Sequence, residues 1–345
     1  VMPGYYGIDK LNPDDLAGDK AIWTDKQLTQ TVKYYEDMGY NVVGAMNTAL
    51  AYDSNAPYGY MVWNGVVLGT PEIHKGAQTY LAIDWNGNCE LRSMSTPLTG
   101  NEKTAISANF GWLVKNGKLV TTTVGRTDSD ASRSMIGIKA DGTLIFCQVD
   151  GRNAPVSTGL SNYEMGEMML ALGCVNAVNC DGGGSSTFIS KRAGESVNTM
   201  RSVPSDGSER ATINSVILVS TAGATGIFKD ALIETAYNYI APTAHMALEV
   251  TALDTKGFTM AVPGDVTYRV AEEGMGTVEN GVFTAGSITG TATIEAVYND
   301  TVVGTKVVEV VHPKAFGFTA ETTALPLDKT LALELKATYG VDDWN

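Results

Sequence analysis

The chain has 345 residues, 44% of them hydrophobic, which is enough for two or three domains with a substantial core. Its net charge of −14 argues against a nucleic-acid partner, because binding to phosphate backbones needs a basic surface. No apolar run reaches the roughly 18 residues of a membrane span, so no transmembrane segment is expected. The first residues, "VMPGYYGIDK", do not read as a signal peptide, and we expect that an export signal has been removed.

The first predicted helix covers residues 24–39, "TDKQLTQTVKYYEDMG", with a capping box of Thr24 and Gln27 and a stop at Gly39. A strand over "YNVVGAMNTALAYD" follows. Four hairpins are then predicted, because an Asn-Gly or Asp-Gly pair between apolar runs favours a turn with positive φ at both central residues. The four turns are Asn64-Gly65, Asn86-Gly87, Asn116-Gly117 and Asp141-Gly142.

A second helix is predicted over residues 161–173, with a capping box of Ser161 and Glu164 and with Gly173 at its end. A short strand, "VNAVNC", then leads into a run of glycines. After the strand "ATINSVILVS", the segment "STAGATG" is typical of a linker. These elements predict an α+β fold for residues 1–222, a mixed α/β catalytic domain rich in antiparallel hairpins.

The remainder of the chain is predicted to be all β. Residues 227–312 contain short strands and turns in the pattern of a β-sandwich. The phrase "GTVENGVFTAGSITGTATIEAVY" resembles the Ig-like modules of bacterial surface proteins. Residues 313–345 read as the start of a further β-rich module or a stub. Modules of this kind space or anchor an enzyme, and we assign them no chemistry.

The four cysteines, Cys89, Cys147, Cys174 and Cys180, form no CxxC pair, and the three histidines are scattered. A zinc site is therefore not expected. The cysteines are interpreted as buried thiols, with one disulfide between Cys174 and Cys180 as the alternative.

The glycine run is the most distinctive stretch. Asp181 directly precedes three glycines, and three hydroxyl residues follow in "DGGGSST". Because each glycine loses more conformational entropy on folding than any other residue, the run indicates either a tight structural loop or a close approach of backbone to a ligand. Exposed glycine N–H groups can form an anion-binding nest. The run has neither the lysine of a P-loop nor the spacing of a dinucleotide or hydrolase motif.

Other stretches place polar and charged residues where predicted strands begin or end. Taken singly, each is typical of a solvated or salt-bridged surface group. Taken together, acids and arginines at strand ends are what phosphate-ester or glycosyl chemistry requires. These residues are Asn47, Asp53, Arg133, Asp150, Arg152, Glu209, Arg210 and Asn214.

In this order the stretches resemble the phosphodiester glycosidase family over residues 25–220. The family's N-x-D-G-G-G-S-[ST] run is matched from Asn179 to Ser186. Its early asparagine is matched by Asn47, although "TALAY" replaces the aromatic run that follows it in the family. The other matches are Arg-[ST]-x-x-Gly-[IV] at 133–138, Asp-Gly-Arg at 150–152 and Glu-Arg-x-x-x-Asn at 209–214.

The resemblance implies cleavage of a sugar-1-phosphate diester, of the N-acetylglucosamine-1-phosphodiester kind, at the anomeric carbon through an oxocarbenium-like transition state. Arg133 and Arg210 would then neutralise the departing phosphate, and the glycine backbone would cradle it. Asp181 and Glu209 are the candidates for activating water or attacking C1, with Asp150 behind them. The other candidate substrate- or phosphate-binding residues are Gly182, Gly183, Gly184, Ser185, Ser186, Asn47, Asn214 and Arg152.

No cofactor is specified, and a divalent metal held by some of these acids stays open because no ligand spacing defines one. The expected partner is a phosphodiester-linked saccharide or cell-surface glycan, such as a cell-wall or exopolysaccharide component. The expected location is secreted or on a bacterial cell surface. Two alternatives remain: a non-catalytic carbohydrate- or phosphate-binding surface protein, and a metal-dependent phosphodiesterase that cuts P–O.

Overall fold

The structure is a computed structural model that describes residues 1–5, 24–50, 58–68, 79–108, 110–120, 130–319 and 334–339. The chain divides into two compact units, Val1–Thr221 and Ala222–Asn345. Asp53 and the end of "TALAY" lie outside the described residues.

The first unit is built mostly from short strands. The helices in its described residues are α1 (Leu28–Asp37) and α2 (Asn162–Ala171), and a 3₁₀ turn covers Gly183–Ser185. Its strands are β1 (Met2–Gly4), β2 (Val42–Asn47), β3 (Met61–Trp63), β4 (Val66–Val67), β5 (Thr79–Asp84), β6 (Cys89–Ser93), β7 (Glu102–Ser107), β8 (Trp112–Lys115), β9 (Lys118–Leu119), β10 (Arg133–Lys139), β11 (Leu144–Val149), β12 (Cys174–Asn179), β13 (Phe188–Ser190), β14 (Thr199–Met200) and β15 (Ser215–Val219).

These strands form three five-stranded antiparallel sheets, in the orders β1-β15-β2-β13-β14, β4-β3-β7-β5-β6 and β11-β10-β12-β8-β9. One buried cluster is shared by all three sheets and includes Met46, Leu81, Ile106, Ile136 and Val178. Each sheet therefore turns one face toward a common core, which accounts for the apolar residues at alternate strand positions.

The two helices cover other parts of this unit. Leu28, Val32 and Tyr35 of α1 pack with residues of the first sheet, and α2 packs through Met165 and Met169 against the third. The described residues are mostly β, so the predicted antiparallel hairpins are confirmed. The mixed α/β description overstated the helix content, because these two helices have only ten residues each.

The predicted end of α1 and both ends of α2 agree with the structure. Ser161 and Glu164 form the capping box of α2, and Gly39 and Gly173 follow the helix ends with φ of +90° and +85°. The predicted start of α1 is wrong, since the N-cap is Gln27 and its box partner is Gln30. Lys26 pairs instead with Thr212 across a β-bridge, which keeps this segment extended.

All four predicted hairpins are present as β3–β4, β5–β6, β8–β9 and β10–β11. Asn64-Gly65 and Asn116-Gly117 have positive φ at both residues, as this turn type requires. In the turns at 86–87 and 141–142 only the glycine is left-handed, so the expectation for the first residue of those pairs is wrong.

The four cysteines are free thiols, and the alternative of a disulfide between Cys174 and Cys180 is wrong. Cys174 packs in the cluster beneath α2, whereas Cys180 packs in the core shared by the three sheets. Burial raises the pKa of the Cys180 thiol, which keeps it protonated.

The second unit is all β in its described residues. Its strands are β16 (Phe228–Thr235), β17 (Tyr239–Ile240), β18 (His245–Asp254), β19 (Thr259–Met260), β20 (Thr267–Val270), β21 (Gly276–Glu279), β22 (Val282–Ala285), β23 (Gly290–Tyr298), β24 (Thr301–Val310), β25 (Ala315–Thr319) and β26 (Glu334–Thr338).

Two sheets of this unit share one core. Their orders are β16-β18-β22-β21, with β19 on β18, and β17-β24-β23-β20, in which β17 and β24 run parallel. Ile233, Phe283, Ile294 and Val308 pack together between them, while β25 and β26 form a separate two-stranded antiparallel sheet. Neither this unit nor the first contains, in its described part, a helix with the length and hydropathy to cross a bilayer.

Candidate active site

The candidate site lies where strands of the first and third sheets end together. Asn47 is the last residue of β2, Arg133 is the first of β10, Asn179 is the last of β12, and Asn214 directly precedes β15. Antiparallel pairing places Asn179 next to Met135 in the third sheet and Asn47 next to Ser215 in the first. The glycine run leaves β12 at this point.

Asp181 is the buried acid of the site, with 9% of its surface exposed. Its backbone N–H donates to the carbonyl of Thr48 at 2.6 Å, which ties the loop to the end of β2. Burial raises the pKa of the Asp181 carboxyl. Hydrogen bonds from the Ser185 side chain and the Gly182 N–H, and the charge of Arg210, act in the opposite direction.

The backbone of the glycine run is already hydrogen-bonded inside the protein. The N–H of Gly183 donates to the Ser132 carbonyl at 2.7 Å, and that of Ser186 to the Gly183 carbonyl at 3.1 Å. The Gly182 N–H bonds to the Asp181 carboxylate. The N–H groups of Gly182, Gly183 and Ser186 therefore bond within the protein, whereas the sequence predicts exposed donors.

Each of the three glycines lies beside an arginine side chain. A methyl group on Gly182 would lie 3.5 Å from Cδ of Arg133 and 2.9 Å from the Ser132 carbonyl. A methyl group on Gly183 would lie 3.3 Å from Nη1 of Arg152, and Gly183 also has φ of +61°. The first two glycines of the run thus each face a different guanidinium-bearing side chain.

Gly184 faces the third arginine. A methyl group there would come closer than 3.0 Å to both Nη2 of Arg210 and the carboxylate of Asp206. Arg210 donates through Nε to Asp206 at 3.0 Å, through Nη2 to the same carboxylate oxygen, and through Nη1 to the Ser185 hydroxyl at 3.4 Å. Ser185 therefore connects the buried acid at 181 to this guanidinium.

Asn47 holds the loop in place from beneath. It is 1% exposed, and its Nδ2 donates to the Asp181 carbonyl at 2.8 Å. Its Oδ1 accepts from the hydroxyl of Ser134 at 2.7 Å and from the N–H of Thr187 at 3.1 Å. The structure places the Asn47 amide, predicted to bind substrate, in contacts within the protein.

Asn214 holds the segment that directly follows β2. Its Oδ1 accepts from the Thr48 hydroxyl at 2.8 Å and from the Ala49 N–H at 2.7 Å. Its buried Nδ2, like the buried hydroxyl of Ser186, has no hydrogen-bond partner among the residues that the structure describes. Buried polar atoms without partners are costly, and such atoms call for an explanation such as a functional role.

Asp150 connects the third sheet to the loop before Arg210. Its Oδ1 accepts from Gln148 at 2.9 Å and from the N–H of Val203 at 3.0 Å. Gly151 allows this segment to lie directly against Ser132, since a methyl group there would come closer than 3.0 Å to the Ser132 backbone. This close approach brings the next residue, an arginine, to the glycine run.

Glu209 is placed at the start of α1. Its two carboxylate oxygens accept from the N–H of Thr29 at 2.9 Å and from the hydroxyl of Thr29 at 2.7 Å. The Gln27 side chain also donates to the Glu209 carbonyl at 3.1 Å. These contacts give this candidate acid a capping position at the N-terminus of a helix, where negative charge is stabilised.

Three residues of the site were missed from the sequence. Asp206 stands four residues before Arg210 in a polar loop, and that spacing was its only signal. Thr48 and Ser132 contribute carbonyl groups to the loop, which sequence patterns do not reveal. The described residues contain no group of three or more His, Cys, Asp and Glu side chains arranged to hold a metal ion.

The site therefore combines one buried carboxyl with three arginines. Arginine binds phosphate oxygens in a planar, bidentate way, and burial that raises the pKa of a carboxyl makes its ionised form a stronger base. The arrangement fits chemistry on a phosphorylated substrate.

A family model described as phosphodiester glycosidase matches residues 40–220. The chain belongs to the phosphodiester glycosidase family. The matched region contains the glycine run, the three arginines and their supporting residues.

Individual relatives match over shorter stretches. The SPβ prophage-derived uncharacterized protein YomE of Bacillus subtilis (strain 168) is 39% identical over 113 residues, which are 32% of this chain and 16% of that protein. Human N-acetylglucosamine-1-phosphodiester α-N-acetylglucosaminidase is 29% identical over 123 residues, 31% of this chain and 22% of the human protein. The chain thus matches less than a quarter of the length of either relative.

Among solved structures, the zebrafish N-acetylglucosamine-1-phosphodiester α-N-acetylglucosaminidase catalytic domain, auto-inhibited by its pro-peptide, is similar with a TM-score of 0.44 and 19% identity. The match covers 58% of this chain and 68% of that one.

Proposed function

We propose that this protein is a hydrolase that cleaves the sugar C1–O bond of a sugar-1-phosphate diester. The observation that carries the proposal is the position of Arg133, Arg152 and Arg210 around the glycine run beside the buried Asp181. Family membership supports it, and the human relative's name specifies a phosphodiester of N-acetylglucosamine.

The arginines suit the departing phosphate. When the C1–O bond breaks, its electron pair goes to the phosphate oxygen, so negative charge grows there in the transition state. Preorganised cations aimed at that charge are among the largest contributions to catalysis. A phosphate monoester is a weak base, so little proton donation to the leaving group is needed.

Asp181 is the group we assign to the sugar side. As a carboxylate it either takes a proton from the water that attacks C1 or attacks C1 itself, and both roles need the ionised form. Burial makes this carboxylate a stronger base than an exposed aspartate. Asp150 and Glu209, whose carboxylates bond to neighbouring backbone and side-chain groups, position the loop and helix α1 around it.

The setting of the reaction is part of the proposal. We place the protein outside the cell or on a bacterial surface, with a cell-wall or exopolysaccharide phosphodiester as substrate. The second unit, with two sheets on one core, is proposed as an Ig-like module that spaces or anchors the first.

The test is hydrolysis of an alkyl α-N-acetylglucosamine-1-phosphate diester in ¹⁸O-labelled water. Label in the free sugar, with alkyl phosphate as the other product, means C–O cleavage and supports the proposal. Label in the phosphate, with activity lost on chelation, means a metal-dependent phosphodiesterase. Binding without turnover of this diester and of a set of cell-wall phosphodiesters means a carbohydrate-binding protein.

Asp181→Asn is the diagnostic variant, because it keeps the size of the side chain and removes the base. The matched control is Asp265→Asn, at an exposed position of the second unit. The proposal requires turnover to be lost in the first variant and retained in the second.

A further inference from the structure

The ion pair between Arg210 and Asp206 lies directly on the glycine run. Gly184 has no side chain at the place where this pair sits, and the pair would collide with any larger residue there. At the proposed phosphate site, Arg210 therefore already binds the Asp206 carboxylate through Nε and Nη2.

The pair is held loosely enough to exchange partners. The side chains of Arg210 and Asp206 are 51% and 37% exposed. Exposed pairs of this kind contribute little to stability, so their geometry can change at small cost. A phosphate oxygen and the Asp206 carboxylate need the same guanidinium N–H groups.

The charge of the substrate changes during the proposed reaction. A phosphate diester carries one negative charge, whereas the monoester product carries between one and a half and two at about pH 7, because its second pKa is about 6. A fixed carboxylate beside the phosphate repels the product more strongly than the substrate.

We infer that Asp206 is a specificity-determining residue that competes with phosphate for Arg210 and selects the monoanionic diester over the dianionic monoester. The inference rests on the proposed function and assigns the discrimination between substrate and product to one side chain. Asp206 weakens rebinding of the product once the C1–O bond has broken. The carboxylate takes no part in bond breaking.

The test compares two anions at pH 8 by calorimetry on the full chain: inorganic phosphate, which is then mostly a dianion, and dimethyl phosphate, which is a monoanion. Asp206→Asn keeps the shape of the side chain. We expect it to lower the Kd for inorganic phosphate about fivefold, the upper range for an exposed charge pair. The Kd for dimethyl phosphate should change only about twofold, because its charge is half as large.

Two controls identify the source of the effect. Asp37→Asn removes the same charge from another exposed pair four residues apart, Lys33–Asp37, and should change neither Kd. Asp206→Asn made on top of Arg210→Gln should give a smaller gain, because only the direct repulsion between carboxylate and anion is then relieved.

Equal or weaker binding of inorganic phosphate by Asp206→Asn would overturn the inference and make Asp206 a positioning residue for Arg210. An equal gain for both anions, or no binding of either anion by any of the proteins, would also overturn it. Failure of the proposed function is seen separately, as absence of ¹⁸O-labelled sugar, because the binding measurement requires no turnover.

Discussion

Replacing Gly184 with alanine should remove activity while leaving the fold intact. The φ of Gly184 lies outside the left-handed region, so alanine fits its backbone. The new methyl group collides with Arg210 and Asp206, which are ends of flexible side chains and can swing outward. The substitution therefore acts on the position of one guanidinium.

The substitution should change stability much less than it changes kcat. Loss of the exposed ion pair costs about 0–1 kcal/mol, and alanine in place of glycine restricts the unfolded chain by about 0.4–1 kcal/mol in the opposite direction. The free energy of unfolding should thus change by less than about 1 kcal/mol. Loss of one group that stabilises developing charge lowers kcat by about 10²–10³, or about 2.7–4 kcal/mol.

Initial rates on the sugar-1-phosphate diester and thermal unfolding of the same preparations provide the measurement. Gly264→Ala is the control, since a methyl group there meets nothing within 4 Å and its backbone is not left-handed. Wild-type kcat in Gly184→Ala would refute the role given to Arg210. A large loss of stability would refute the claim that only flexible side chains fill this space.

Three further substitutions separate the roles of the site residues. Asp181→Asn should abolish turnover and raise the free energy of unfolding at pH 7. The pKa of this acid is higher in the folded state than in the unfolded state, so the fold is destabilised as pH rises above the ordinary aspartate pKa and the acid ionises. Denaturant unfolding at pH 4 should therefore show a smaller gain in stability. Arg210→Gln should move the acid limb of the kcat profile to higher pH, because the cation that lowers the Asp181 pKa is gone; an unmoved limb would mean that another group titrates. Asn47→Ala should cost about 2–4 kcal/mol by denaturant unfolding, because it leaves buried donors and an acceptor unpaired; a change below about 0.5 kcal/mol would show that these groups find other partners.

Local features of the fold could be read from the sequence. The Asn-Gly turns and the capping box at Ser161 depend on neighbouring residues, and both are present. The start of α1 could not be predicted in this way, because Thr24 with Gln27 and Gln27 with Gln30 are two overlapping candidates for the capping box. The choice depends on the bridge between Lys26 and Thr212, which are far apart in sequence.

The site was only partly predictable for the same reason. The sequence located Asp181 and the arginines, but hydrogen-bond partners far along the chain decide what each polar group does. The Glu209 carboxylate accepts a hydrogen bond from Thr29, which lies 180 residues away in the sequence. The N–H of Gly183 donates to the carbonyl of Ser132, whereas the sequence predicts that this N–H is free to bind an anion.

The bonded backbone of the glycine run also bears on the thermodynamics of binding. The N–H groups of Gly183, Ser185 and Ser186 already have partners within the protein. This loop therefore needs little further ordering when an anion binds, and little conformational entropy is lost. Recognition then rests on side-chain charge placed in advance. The heat of phosphate binding should come from ion pairing, with a heat-capacity change close to zero because little apolar surface is buried.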